Sequence, residues 1–485
     1  MNQQASVFNQ RRTGVLLHIT SLPSSNLGKD AYRFVDFLAA TGTTIWQMLP
    51  LGPTHADNSP YQCLSAHAAN ASLICPHWVT QQSWAIADEL DVSNLSILIA
   101  KAFHQFDTYA DDEEKQLFSD FCQQHAYWLD DYVLFCEIRH LNFTNAWFDW
   151  PEALRDREVD ALARIRCDRQ QALDIRCFEQ FIFFQQWRSL KRYANEHGVL
   201  LFGDMPIFVA HDSADVWANQ GLFTLDNTGQ ATRVAGVPPD YFSATGQRWG
   251  NPLYEWEAHQ QQDYLWWQQR LSTQLDLFDL VRIDHFRGFE ACWEIPANCD
   301  TAIDGAWVKA PGDELFDKLL SVFGELPLVA EDLGIITDEV TVLREKYAMP
   351  GMKILQFAFG SDADATNPYL PHQHCRDSVA YTGTHDNNTT VGWYQEVDEG
   401  TQQHIASYLG RDDVSMPWTL NRIALQSVAA LAVLPMQDIL SLDGSHRMNV
   451  PGTTEGNWSW QFSWEMLTDD SQAQLLNLNK LYGRC

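Results

Sequence analysis

The chain is expected to fold as an α/β protein, a (β/α)8 (TIM) barrel with two insertions, and three observations predict this. Eight short apolar runs recur along the chain, four of them closing on a Gly, Pro or Asp. Helix-like stretches separate them, and near-continuous apolar strands alternating with helices imply a parallel sheet covered on both faces. The length of 485 residues accommodates a barrel of about 250 residues together with large excursions from it.

The runs, in order, are GVLLHIT (14–20), TIWQMLP (44–50), VLLFGDMPIFV (199–209), DLVRIDH (279–285), PLVAEDLG (327–334), MKILQFAFG (352–360), SVAYTGTHD (378–386) and LAVLPMQDIL (431–440). Tyr264, Trp267, Leu271 and Leu275 recur at helical spacing before the fourth run. Leu315, Leu319 and Phe323 do so before the fifth, where Gly324 supplies a stop. Between the second and third runs the chain is too long for one crossover. Leu117, Phe121, Trp128 and Tyr132, then Phe181, Phe184, Trp187 and Leu190, give helical patterns there. The expected organisation is barrel strands 1 and 2 in residues 1–64, a mainly helical inserted subdomain in 65–175, and the rest of the barrel in 176–485. A second insertion at 210–260 follows the third run. Its segment GVPPDYFSATGQRWGNPLY (236–254) has the Gly, Pro and aromatic composition of a loop.

Composition narrows the function. Hydrophobic residues make up 45% and charged residues 20%, as in folded globular chains. The longest apolar stretch, Val428 to Met436, is far too short to span a membrane, and the N-terminus has no apolar signal core. A cytoplasmic location is expected. Thirty-two basic against 63 acidic residues leave a net charge of −31, which repels nucleic acid and anionic lipid surfaces. Ten cysteines occur without a C-x-x-C pair, and His211 and His285 are not spaced as metal ligands, so no metal site is expected. Nineteen Trp exceed what a core requires, and flat aromatic faces suit pyranose rings.

The active site of such a barrel forms at the carboxyl ends of its strands, so polar residues that end an apolar run are the candidates. Asp204, Asp284, Glu331 and Asp386 all qualify. Convergent carboxylates suit glycosidic chemistry, in which an ionised group attacks the anomeric carbon and a protonated one serves the leaving oxygen. Arg282 lies two residues before Asp284 on the same side of a strand, where its charge keeps that carboxylate ionised. Glu331 follows Leu328, Val329 and Ala330, and an apolar setting raises the pKa of a carboxyl as a general acid requires. Asp386, preceded by His385, is left to hold sugar hydroxyls.

The segments SPYQ (59–62), GDMPIFVAHDSADVW (203–217), GVPPDYFSATGQRWGNPLY (236–254), RIDHFRG (282–288), AEDLG (330–334), GTHDNNT (383–389) and NVPGTTEGNW (449–458) resemble those of the amylomaltases. These are the 4-α-glucanotransferases, or disproportionating enzymes, of the α-amylase clan. The resemblance implies that Asp284 is the nucleophile, Glu331 the general acid/base and Asp386 the transition-state stabiliser. It further implies that Tyr61 stacks on the sugar being cleaved, with Arg282, His385 and Asp204 hydrogen-bonding around it. Ser59, Gln247, Trp249 and Asn457 match positions that touch the glucan, and Tyr241 and Phe242 match a loop tip that covers it. Trp458 and Trp460 stay unassigned.

The implied substrates are maltooligosaccharides, α-1,4-glucans and glucose, with no cofactor, and the chain is expected to be a monomer or homodimer. The alternatives are an α-amylase-type hydrolase using the same residues, and a catalytically silent glucan-binding protein on this scaffold.

Overall fold

In the computed structural model of the chain, residues 7–143, 145–239 and 243–485 are described. Their strands, in chain order, are β1 (Arg12–Leu16), β2 (Ile45–Gln47), β3 (Leu200–Pro206), β4 (Arg233–Val237), β5 (Gln247–Pro252), β6 (Leu280–Asp284), β7 (Ala291–Pro296), β8 (Ala306–Lys309), β9 (Leu328–Ala330), β10 (Gly351–Ile354), β11 (Ser378–Tyr381) and β12 (Leu431–Pro435). Eight of them pair in parallel in the order β10-β11-β12-β1-β2-β3-β6-β9. The two ends of this sheet meet where the Ala330 N–H donates to the Pro350 carbonyl at 2.9 Å, so the sheet curls into a nearly closed (β/α)8 barrel.

Each apolar run of the sequence contributes one barrel strand, because a strand covered on both faces needs apolar residues at every position. Leu16, Ile45, Phe202, Leu280, Val329, Ile354, Val379 and Val433 fill the barrel interior. Their neighbours Val15, Trp46, Leu201 and Val281 face outward into the shell of helices. Gly203 on β3 has no room for a side chain, since a Cβ there would lie 2.2 Å from the Phe278 ring.

The insertion after β2 is helical, as expected. Its helix Asp112–Leu141 opens with a capping box, Asp111 accepting from the Glu114 N–H and Glu114 accepting from the Asp111 N–H. This helix packs along Val159–Glu196, which has no Gly or Pro to break it and runs straight across position 175 into the barrel wall. The expected division at 175 therefore falls inside one continuous helix.

The segment 236–254, expected as loop, is different. It contains most of the hairpin formed by β4 and β5, which joins an antiparallel sheet in the order β5-β4-β7-β8. The sheet unites two stretches of chain, β4 and β5 following β3 of the barrel, β7 and β8 following β6. Neither pattern rule detects it, because β8 is exposed at every position and β5 at its outer end. Gly236 serves close strand approach and not a turn, since a Cβ there would sit 2.1 Å from the Gln247 carbonyl oxygen. Tyr241 and Phe242 lie outside the described residues.

Candidate active site

Parallel strands end together at one rim, and that geometry gathers the candidate carboxylates. Asp204 lies on β3, Arg282 and Asp284 on β6, Glu331 one residue past β9, and Asp386 five residues past β11. β9 is held to β6 beyond its last strand residue. The Glu331 N–H donates to the Ile283 carbonyl at 3.0 Å, and the Phe286 N–H to the Glu331 carbonyl at 3.1 Å.

Arg282 is the hub. Its Nη1 donates to both oxygens of Asp204 at 2.8 and 2.6 Å, and its Nη2 donates to Asp284 Oδ1 at 2.8 Å. Asp204 is buried and also accepts from the Tyr61 hydroxyl at 2.9 Å. Burial pushes its carboxyl up to about 7, against the pull of the Arg282 guanidinium. Asp284 keeps its second oxygen off the guanidinium, and its side chain is 31% exposed, open toward the rim.

Glu331 stands in a different environment. Its Oε2 accepts from the His285 N–H at 2.7 Å and its Oε1 from the Leu333 N–H at 3.1 Å. Burial nevertheless raises its carboxyl to about 8, with the Asp284 charge adding to the rise and Arg282 opposing it. The residue that presents the first of these N–H groups, His285, adopts a left-handed backbone with φ of 51°, a conformation uncommon outside glycine and recurrent at functional sites.

Asp386 is the most exposed of the four. Its Oδ1 accepts from Asn449 Nδ2 at 2.6 Å, its carbonyl accepts from Arg447 Nη2 at 3.0 Å, and its Oδ2 lies 3.4 Å from His385 Nε2. The His385 ring stacks on Tyr61 with centroids 5.1 Å apart and planes at 15°. Trp458 tilts against both rings, 5.9 Å from each. On the Glu331 side, Trp249 meets His285 edge-on at 4.8 Å and donates its Nε1–H to Gln247 Oε1 at 3.0 Å.

Two expected glucan contacts sit differently. Ser59 lies in the loop that carries Tyr61, its N–H donating to Asp57. The Asn457 side chain is engaged within its own loop, accepting from the Val450 N–H and donating to Thr453. Asn449, Arg447, Trp458 and His18 were not assigned from sequence and belong to this neighbourhood. His18 is buried beside His385, and desolvation lowers its imidazole to about 3, with His385 adding to the effect. His18 lies inside the first apolar run, two residues past the end of β1, so a search for polar residues just beyond each strand would have found it. Asn449 opens the quoted segment NVPGTTEGNW. Among the described residues no group of three or more His, Cys, Asp or Glu side chains is placed to hold a metal ion.

Comparison with known proteins places the chain in a family. The family model for 4-alpha-glucanotransferase, glycoside hydrolase family 77, matches residues 17–468. The chain belongs to this family. It is 45% identical over 502 residues to the 4-alpha-glucanotransferase of Synechocystis sp., covering 99% of each chain. It is equally 45% identical over 488 residues to that of Thermus thermophilus, covering 96% of this chain and 97% of the relative. The structure superposes on the amylomaltase from Streptococcus agalactiae in complex with acarbose with a TM-score of 0.93 at 36% identity, over 98% of this chain and 100% of that one. The activity that goes with family 77 membership over the whole chain is that of a 4-alpha-glucanotransferase, EC 2.4.1.25.

Proposed function

We propose that the rim transfers a segment of an α-1,4-glucan from one maltooligosaccharide to the 4-hydroxyl of another glucan or of glucose, with retention, by double displacement. The observation that carries this reading is the unequal treatment of two neighbouring carboxyls. Asp284 lies against the Arg282 guanidinium, whereas burial raises Glu331 to about 8. One is fitted to attack as an anion and the other to arrive with a proton.

In the first step Asp284 bonds to the anomeric carbon as the glycosidic bond breaks, and Glu331 delivers its proton to the departing oxygen. Ester formation consumes the Asp284 charge, and with it the repulsion that helps hold the proton on Glu331. Glu331 is then a base. It takes the proton of the incoming 4-hydroxyl, whose oxygen displaces Asp284 from the anomeric carbon. Asp386, fixed by Asn449 and open to the cleft, accepts hydrogen bonds from the hydroxyls of the reacting ring. Tyr61 supplies a stacking face beside His385. Gln247 and Trp249, with Tyr241 and Phe242, cover the acceptor and keep water from the ester. No step calls for a cofactor.

Among the described residues no helix is long and apolar enough to cross a membrane, and all ten cysteines are free thiols. Free thiols suit a reducing compartment, and we assign the enzyme to the cytoplasm. The test is incubation with pure maltotriose. Transfer yields glucose and a ladder of longer maltooligosaccharides while total reducing ends stay constant. Steadily rising reducing ends with no product longer than the substrate would move the assignment to a hydrolase.

A further inference from the structure

We propose that Trp307, on the outer strand of the small antiparallel sheet, is a stacking platform for the acceptor glucan beyond the sugar that Glu331 serves. This rests on the transfer reading above and extends it to the choice of acceptor.

Trp307 lies on β8, which pairs with β7 and has exposed residues along its whole length. Its ring is held on two sides. The Arg287 guanidinium carbon lies 3.7 Å from the ring centroid, and Trp293, directly opposite in register, packs against it at 5.3 Å with planes at 66°. The remaining surface, 37% of the residue, faces solvent. An exposed Trp on a sheet edge invites association with other chains unless something else covers it in use. One immobilised by a cation and a second indole loses little entropy on binding and offers the flat, amphipathic face that pyranose rings stack upon.

The platform is tied to both catalytic loops. Arg287 follows Asp284 by three residues, and its Nη1 donates to the carbonyl of Ile335, four residues past Glu331. Ile335 is itself 55% exposed. The two sides of the cleft differ. Tyr61, His385 and Trp458 gather about Asp386, whereas His285 and Trp249 gather about Glu331. Glu331 serves the leaving and entering oxygens, so its side is the acceptor side, and Trp307 is joined to the segment that follows Glu331 through Arg287 and its hydrogen bond to the Ile335 carbonyl. A net charge of −31 disfavours polyanions there and leaves a neutral polymer as the fitting occupant.

The test compares acceptors at a fixed donor. With α-maltotriosyl fluoride as donor, kcat/KM is measured for glucose and for maltopentaose as acceptors in wild type, Trp307→Ala and Trp307→Phe. The maltopentaose-to-glucose ratio is expected to fall about tenfold in Trp307→Ala, about 1.4 kcal/mol of lost stacking, and to recover largely in Trp307→Phe. Trp307→Thr, which keeps the strand's β preference, replaces the Ala variant if that melts early, with the same fall expected. A ratio unchanged in the folded Ala or Thr variant, or a loss shared equally by both acceptors, overturns the platform. Failure of the wild type to form any product longer than its donor would instead overturn the transfer reading.

Discussion

Glu331→Gln keeps the side chain's length and an acceptor for one of the two N–H groups that bind it, while removing the transferable proton. Burial sets the wild-type carboxyl at about 8. At pH 7 about nine-tenths of the free enzyme then carries the proton, and at pH 9 about one-tenth. The sign follows: a general acid is lost as pH rises through its pKa, so kcat/KM for maltotriose should fall about tenfold for each unit well above pH 8. General acid assistance is worth about 10²–10⁴-fold, or about 3–5 kcal/mol of barrier, and the Gln variant should lose that amount on maltotriose. An α-glucosyl fluoride needs little help in departure. With it the first step should stay within about tenfold of wild type and show no alkaline limb. The assay is the burst of fluoride release from pH 5 to 10, alongside initial rates on maltotriose. Equal impairment of the first step on both donors, or an alkaline limb surviving in the Gln variant, would refute proton donation by Glu331.

Asp284→Asn should lower turnover by several orders of magnitude in a folded protein; more than about a tenth of wild-type activity, a loss under about 1.4 kcal/mol, would exclude it as nucleophile. Asn449→Ala removes the 2.6 Å hydrogen bond to Asp386 and should reduce kcat on maltotriose by about 10–100-fold, with KM changed much less. Asp204→Ala leaves the buried Arg282 without one of its two carboxylate partners and should cost about 3–5 kcal/mol in urea denaturation. Tyr241→Ala or Phe242→Ala should shift maltotriose products toward hydrolysis, read as a rise in total reducing ends per transfer event.

The barrel was legible because each of its strands is buried on two faces and must be written in consecutive apolar residues. DLVRIDH contains the whole of β6, and its acidic terminus is the rim itself. SVAYTGTHD is less faithful: β11 stops at Tyr381, and Asp386 reaches the rim on a further loop. What stayed hidden depends on partners distant in the chain. Asn449 meets Asp386 across 63 residues, and neither carries a periodic signal. The antiparallel sheet was missed because β8 has no buried face to impose an alternation. Asn457 is a motif position whose amide closes a turn in its own loop.

That small sheet also limits how this scaffold is altered. β4 and β7 pair through Arg233↔Pro296, Val234↔Ile295, Ala235↔Glu294 and Gly236↔Trp293, joining an excursion that leaves the third barrel strand to one that leaves the fourth. The two excursions form a single graft with two stems. A chimera that imports 210–260 from a relative without 291–309 sets a foreign β4 against the native β7, so the side chains matched across Val234↔Ile295 and Gly236↔Trp293 come from two parents. Lineages that lengthen one stem must accommodate the other, and crossover points for recombination belong outside residues 210–309, where both stems travel together.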